Sequence, residues 1–170
     1  MDNFTHTLIG GAYYSVLPKR LQNKPILLAA TIGSNLPDFD VLMRFFPGET
    51  HFDYLVHHRG YTHTFLLALP FALTLACILK KCFKDQATFL SLALVSLGGV
   101  FLHLFADFWN DYGVHPLTPF SNQWFYGDSI FIVEPYLWMA LIPLMVSLLT
   151  SKRAKFFFKG LFVLSLALVW

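Results

Sequence analysis

Hydrophobic positions in this chain gather into long runs instead of alternating with polar ones. Four stretches free of Asp, Glu, Lys and Arg read as candidate membrane helices: residues 64–79, 86–106, 135–151 and 160–170. The second, about 21 residues long, is sufficient for a bilayer-crossing helix, whereas the first, about 16, gives roughly 24 Å of helix. Lys80 and Lys81 lengthen the first by reaching outward to the interface. Two shorter apolar segments come earlier: residues 4–17 stop at Pro18, and residues 25–36 open with Pro25 in the first turn and stop at Pro37. At roughly 20 Å each they suit a re-entrant hairpin, with Gly10, Gly11, Ala29, Ala30 and Gly33 as small packing surfaces. The pattern predicts an all-α fold, a single membrane-embedded domain over residues 1–170 built as a polytopic bundle of about four long helices plus a short N-terminal helical hairpin.

Composition agrees with that reading. Of the 170 residues 56% are hydrophobic and 13% charged, about half the usual charged share. A net charge of +2, with the basic residues in short loops, excludes a nucleic-acid footprint. Those loops set an orientation: Lys19 to Lys24, Lys80 to Lys84 and Lys152 to Lys159 are expected in the cytoplasm, in a multi-pass arrangement. Cys77 and Cys82 lack the spacing of a redox or zinc pair and read as small apolar residues. The N-terminus has no basic start of a cleaved signal peptide and is expected to stay in the mature protein.

On this topology the ionisable residues converge on the extracytoplasmic side, and such residues near hydrocarbon mark function. His103, Asp107 and Asp111 follow at intervals of four on one helix face, which lets His103 and Asp107 offer a nitrogen and an oxygen to one metal, while Asp111 reads as a helix end. Asp38 follows Pro37 where a short helix stops and reads as a ligand; Asp40 is equally a cap for a helix over 41–46. His58 and His63 point about 140° apart on a straight helix, but a turn at Gly60 brings them together. Thr62 reads as the N-cap of the next helix. Arg59 has two readings, a bidentate partner for an anionic substrate group or a contact to lipid phosphate. His6 gains weight only from its company. His115 lies in a Pro-rich loop suited to cover a site, Asp128 reads as a helix cap, and Glu134 inside an apolar segment needs a cation or a metal-bound histidine.

Four blocks, Phe4-Thr5-His6 with Gly10-Gly11, Leu36-Pro37-Asp38-Phe39-Asp40, His58-Arg59-Gly60-Tyr61-Thr62-His63-Thr64 and His103-Leu104-Phe105-Ala106-Asp107, resemble the YdjM-type bacterial inner-membrane proteins described as metal-dependent hydrolases. The order His, Pro-Asp, His, His-x-x-x-Asp is also similar to zinc-dependent phospholipase C. That similarity implies His6, Asp38, His63, His103 and Asp107 as ligands, with Asp38 also positioning or activating water; the later His-x-x-x-Glu helix of that enzyme has no match here.

The resulting expectation is a membrane-bound metal-dependent hydrolase of the bacterial inner membrane that uses Zn²⁺-activated water on a lipid-like phosphoester or ester. One or two ions are expected, with Mn²⁺ or Fe²⁺ also compatible with mixed nitrogen and oxygen donors. The metal set comprises His6, Asp38, His58, His63, His103 and Asp107; Asp38 and Arg59 carry catalysis. The alternative is a non-catalytic metal-binding membrane protein, a transporter or sensor. A transporter is expected to show inverted repeats and ionisable residues at the midplane of its spans, and neither is clear here.

Overall fold

A computed structural model describes residues 1–45 and 59–149. Its described part contains five α-helices: α1 Asn3–Val16, α2 Lys24–Gly33, α3 Phe65–Phe83, α4 Phe89–Phe108 and α5 Pro135–Leu149. A 3-10 run over Leu36–Phe45 replaces the α-helix expected at 41–46. No strand occurs among the described residues; two isolated bridges, Asn110 with Ile130 and Val114 with Phe125, tie the long loop before α5.

Local chemistry explains the helix starts. Asp2 caps α1 by accepting from Thr5 N at 3.0 Å, Asn23 caps α2 through Ile26 N at 3.1 Å, and Thr88 caps α4 through Ser91 N at 3.1 Å. For α3 the cap is Thr64, which accepts from Leu67 N at 3.3 Å. The cap expected at Thr62 is therefore corrected by two residues, and Thr62 has another task. Asp128 caps nothing: it sits in a loop at φ 47°, and Glu134 instead accepts from Tyr136 N at 3.4 Å where α5 begins.

Of the four long spans expected, α3 and α4 are long and apolar enough to cross a membrane. Their outward faces carry exposed Leu66, Leu69, Leu73 and Ile78 on α3 and Leu90, Leu94, Phe101 and Phe105 on α4, which suits contact with lipid chains. The described part of α5, 15 residues, spans roughly 22 Å. The segment 160–170 lies outside the described residues.

α3 and α4 pack as a hairpin, α2 lies against both α4 and α1, and α1 touches α5. Trp138 Nε1 donates to Thr5 Oγ1 at 2.8 Å and fixes α5 to the start of α1. α2 approaches its neighbours backbone to backbone. A Cβ on Gly99 would come within 2.9 Å of Ser34 N and 3.0 Å of Ala30 O, and one on Gly33 within 2.8 Å of Ser96 O. Only glycine leaves the space for this contact, and the contact carries the end of α2 to α4 at the depth of His103. Gly99→Leu is accordingly expected to destabilise the protein by about 3 kcal/mol, the upper end of the usual overpacking range. The measure is thermal unfolding in detergent; an unchanged Tm would mean that α2 and α4 do not meet so closely.

Candidate metal centre

Five of the residues singled out in the sequence come together where α1, the 3-10 run, the turn before α3 and the last turns of α4 meet. Asp38, His63, His103 and Asp107 each offer one ligand atom, and these atoms lie within 4.8 Å of one another, all buried. His6 stacks on His103 with ring centroids 3.7 Å apart.

The protonation of both central histidines follows from their outer neighbours. His103 Nδ1 lies 2.8 Å from the carbonyl of Ser34, which can only accept, so Nδ1 carries the proton and Nε2 a lone pair. Thr62 Oγ1 donates to Asp40 Oδ2 at 3.3 Å and lies 3.0 Å from His63 Nδ1. Having spent its hydrogen on the carboxylate, Thr62 accepts from His63 Nδ1, so His63 Nε2 is also a lone pair. The two Nε2 atoms stand 3.0 Å apart.

Around them lie anionic oxygens. Asp38 Oδ1 is 3.4 Å from His63 Nε2 and 3.6 Å from His103 Nε2, and Asp107 Oδ2 is 3.4 and 3.5 Å from the same two atoms. Ligands about 2.0–2.1 Å from a tetrahedral ion sit roughly 3.3–3.4 Å from one another. The four nitrogen–oxygen separations, 3.4–3.6 Å, lie close to that edge length, while the two nitrogens stand closer at 3.0 Å. Arg59 and the α-amino group of Met1 counter the charge of Asp107, and a cation among the four ligand atoms would counter that of Asp38. Two imidazoles whose outer nitrogens are held by a carbonyl and a hydroxyl-carboxylate relay form the support expected behind a metal.

Arg59 is buried, and both terminal nitrogens of its guanidinium are taken up by protein groups while Nε has no hydrogen-bond partner. Nη1 donates to Gly113 O at 2.8 Å and Asn110 Oδ1 at 3.2 Å, Nη2 pairs with Asp107 Oδ2 at 3.2 Å, and the guanidinium lies 4.8 Å from the centre of the Tyr112 ring. Its backbone, at φ 63°, is held by Asp40 Oδ2 accepting from Arg59 N at 3.1 Å. Asp40 therefore organises the 59–63 turn through both Arg59 and Thr62. The α-amino group of Met1 lies against Asp107 Oδ1.

Sequence reasoning missed Asn110 and Ser34. Asn110 is fully buried, accepts from Tyr112 N and Gly113 N, and reaches Asp107 Oδ1 with its amide at 3.4 Å. It follows Asp107 by three positions, on the stripe that holds His103 and Asp107, so helical spacing would have found it. Ser34 acts through its carbonyl, for which side-chain patterns carry no signal. Other candidates do not join the group. His115 stacks on Trp124 at 4.4 Å and bonds Thr118, Glu134 serves the start of α5, and Asp111 is exposed. His58 lies outside the described residues.

An all-helical membrane protein with a buried group of two Asp and two His suited to a metal ion is the class these features define. The chain belongs to the YdjM inner membrane protein family, which matches residues 1–170. A relative, the uncharacterized protein YfhP of Bacillus subtilis (strain 168), is 31% identical over 147 residues, 82% of this chain and 44% of that protein. The chain thus spans under half the length of that relative. No solved structure matches, so the likeness to zinc-dependent phospholipase C rests on motif order alone.

Proposed function

We propose that this protein is a membrane-bound metal-dependent hydrolase acting on a lipid-like phosphoester or ester. The observation that carries the reading is the pair of imidazole Nε2 atoms 3.0 Å apart, enclosed by one oxygen each of Asp38 and Asp107. Two imidazoles and two carboxylates suit Zn²⁺, and Mn²⁺ or Fe²⁺ also accept such donors. A zinc ion held there would supply water acidified to a pKa of about 7 and polarise the bond to be cleaved.

The chain's own residues divide the remaining work. Asp38 lines a cavity of about 390 Å³ with Asn3, Thr7, Thr31 and Asn35, which makes it the residue that meets entering water or substrate. Its role is to position that water. Arg59 and Asn110 hold Asp107 in place. A second cavity, about 490 Å³ and lined by Phe65, Phe101, Leu104, Phe105, Phe108 and Leu117, lies beside the helix ends that bear the ligands and suits an acyl chain.

The first test is metal content of detergent-purified protein, followed by a lipid-phosphoester assay before and after chelation. Stoichiometric metal with chelator-sensitive hydrolysis is expected. Stoichiometric metal with no hydrolysis of lipid phosphoesters or esters would favour the transporter or sensor reading, and no metal would end both.

With the basic loops in the cytoplasm, the group faces the extracytoplasmic side. Cys82, exposed beside Lys80 and Lys81, and a Phe120→Cys label in the long loop test this. A membrane-impermeant thiol reagent applied to intact cells is expected to label the Phe120→Cys position and spare Cys82; the opposite pattern would invert the orientation.

A further inference from the structure

Each carboxylate in the group presents its two oxygens to different histidines. Asp107 Oδ2 faces His63 and His103, while its Oδ1 lies 3.4 Å from His6 Nε2. Asp38 repeats the pattern: Oδ1 faces His63 and His103, and Oδ2 lies 4.0 Å from His6 Nε2. His6 is fully buried and neither of its ring nitrogens has a hydrogen-bond partner; Asp38 Oδ2 has none either. A buried imidazole with both nitrogens unmet has lost its water without gaining a partner in exchange. Stacking on His103 holds the ring but satisfies neither nitrogen.

We propose that the group is a two-ion centre in which Asp38 and Asp107 bridge, His63 and His103 hold one divalent cation, and His6 holds the second. The inference rests on the reading that these residues bind metal at all, and adds to it the number of ions and the assignment of ligands. The 3.4 Å edge between His6 and Asp107 is again the spacing of two ligands on one ion, and bridging carboxylates set paired ions about 3.5–4 Å apart. The α-amino group of Met1 touches the oxygen that the second ion would use, so an ion there either displaces that nitrogen or recruits it. A paired centre suits a phosphoester better than a carboxylic ester, because two cations clamp the attacking and leaving oxygens of an in-line displacement.

The test uses the full chain in detergent, stripped with chelator and reloaded with Mn²⁺, read by equilibrium dialysis and electron paramagnetic resonance. Wild type is expected to bind two Mn²⁺ per chain and show an exchange-coupled spectrum. His6→Ala is expected to bind one and show the spectrum of an isolated ion. One ion per wild-type chain would overturn the paired centre while leaving a metal site intact; no bound ion would overturn the metal reading itself. Two coupled ions in His6→Ala would remove His6 from the second position. If His6→Ala fails to fold, the wild-type stoichiometry and coupling decide the matter alone.

Discussion

Replacing His103 by alanine, or Asp107 by asparagine, is expected to weaken metal binding by more than about 100-fold while the protein still enters the membrane. Changes to groups behind a metal ligand cost about 10- to 100-fold in affinity, and removal of the ligand itself costs more. Insertion depends on the apolar length of α3 and α4, which neither substitution alters. Both changes carry folding penalties that must be separated from metal loss. His103→Ala leaves the Ser34 carbonyl without its donor, about 1–3 kcal/mol, and Asp107→Asn strips buried Arg59 of a counter-charge, approaching the about 3–5 kcal/mol of a broken buried pair. Thermal unfolding with and without chelator separates the two. An ion present at 100 times its Kd stabilises by about 2.7 kcal/mol, so the wild-type Tm falls on chelation and the variants' Tm does not move. Full metal content in both variants would take α4 out of the centre.

The parts of this centre legible in the sequence are those that local periodicity encodes. His103 and Asp107 share a helix face by spacing alone, and Asp38 and His63 stand at chain breaks that proline and glycine announce. The caps at Asp2, Asn23 and Thr88 were not singled out in the sequence, although each is a residue type that favours that position. What was not legible depends on which elements meet. The carbonyl of Ser34 reaches His103 only because Gly33 and Gly99 let two backbones touch, and no feature of Ser34 itself announces that contact. Thr62 looked like a cap because a hydroxyl precedes an apolar run, but Thr64 does so equally, and the choice is made by Asp40 drawing Thr62 toward the turn. Glu134 seemed expensive in an apolar segment, yet the peptide N–H groups of Phe131 and Tyr136 serve as its partners. Convergence of charges on one side was therefore a sound guide to the region and an overgenerous guide to membership.

Arg59 is where sequence and structure lead to different expectations for one substitution. A fork free to meet an anionic substrate would make Arg59→Lys a defect in turnover with metal unchanged. In the structure the fork spans Gly113 O, Asn110 Oδ1 and Asp107 Oδ2, three acceptors that a single ammonium cannot reach together. Lysine keeps the positive charge and is no worse than arginine at φ 63°, so the fold of the turn and its bond from residue 59 N to Asp40 should survive. What is lost is the orientation of Asp107. Arg59→Lys is thus expected to lower metal affinity about 10- to 100-fold, the range for a partner behind a ligand, equivalent to about 1.4–2.7 kcal/mol. Competition against a chelator of known affinity measures this without any substrate, and retained Tm in the metal-free state excludes unfolding. Once a hydrolytic substrate is in hand, turnover at saturating metal should recover toward wild type, because the defect lies in loading the centre. Unchanged metal affinity with a raised KM would instead return Arg59 to the substrate, and would mean that its contacts to Asp107 and Asn110 give way when substrate binds.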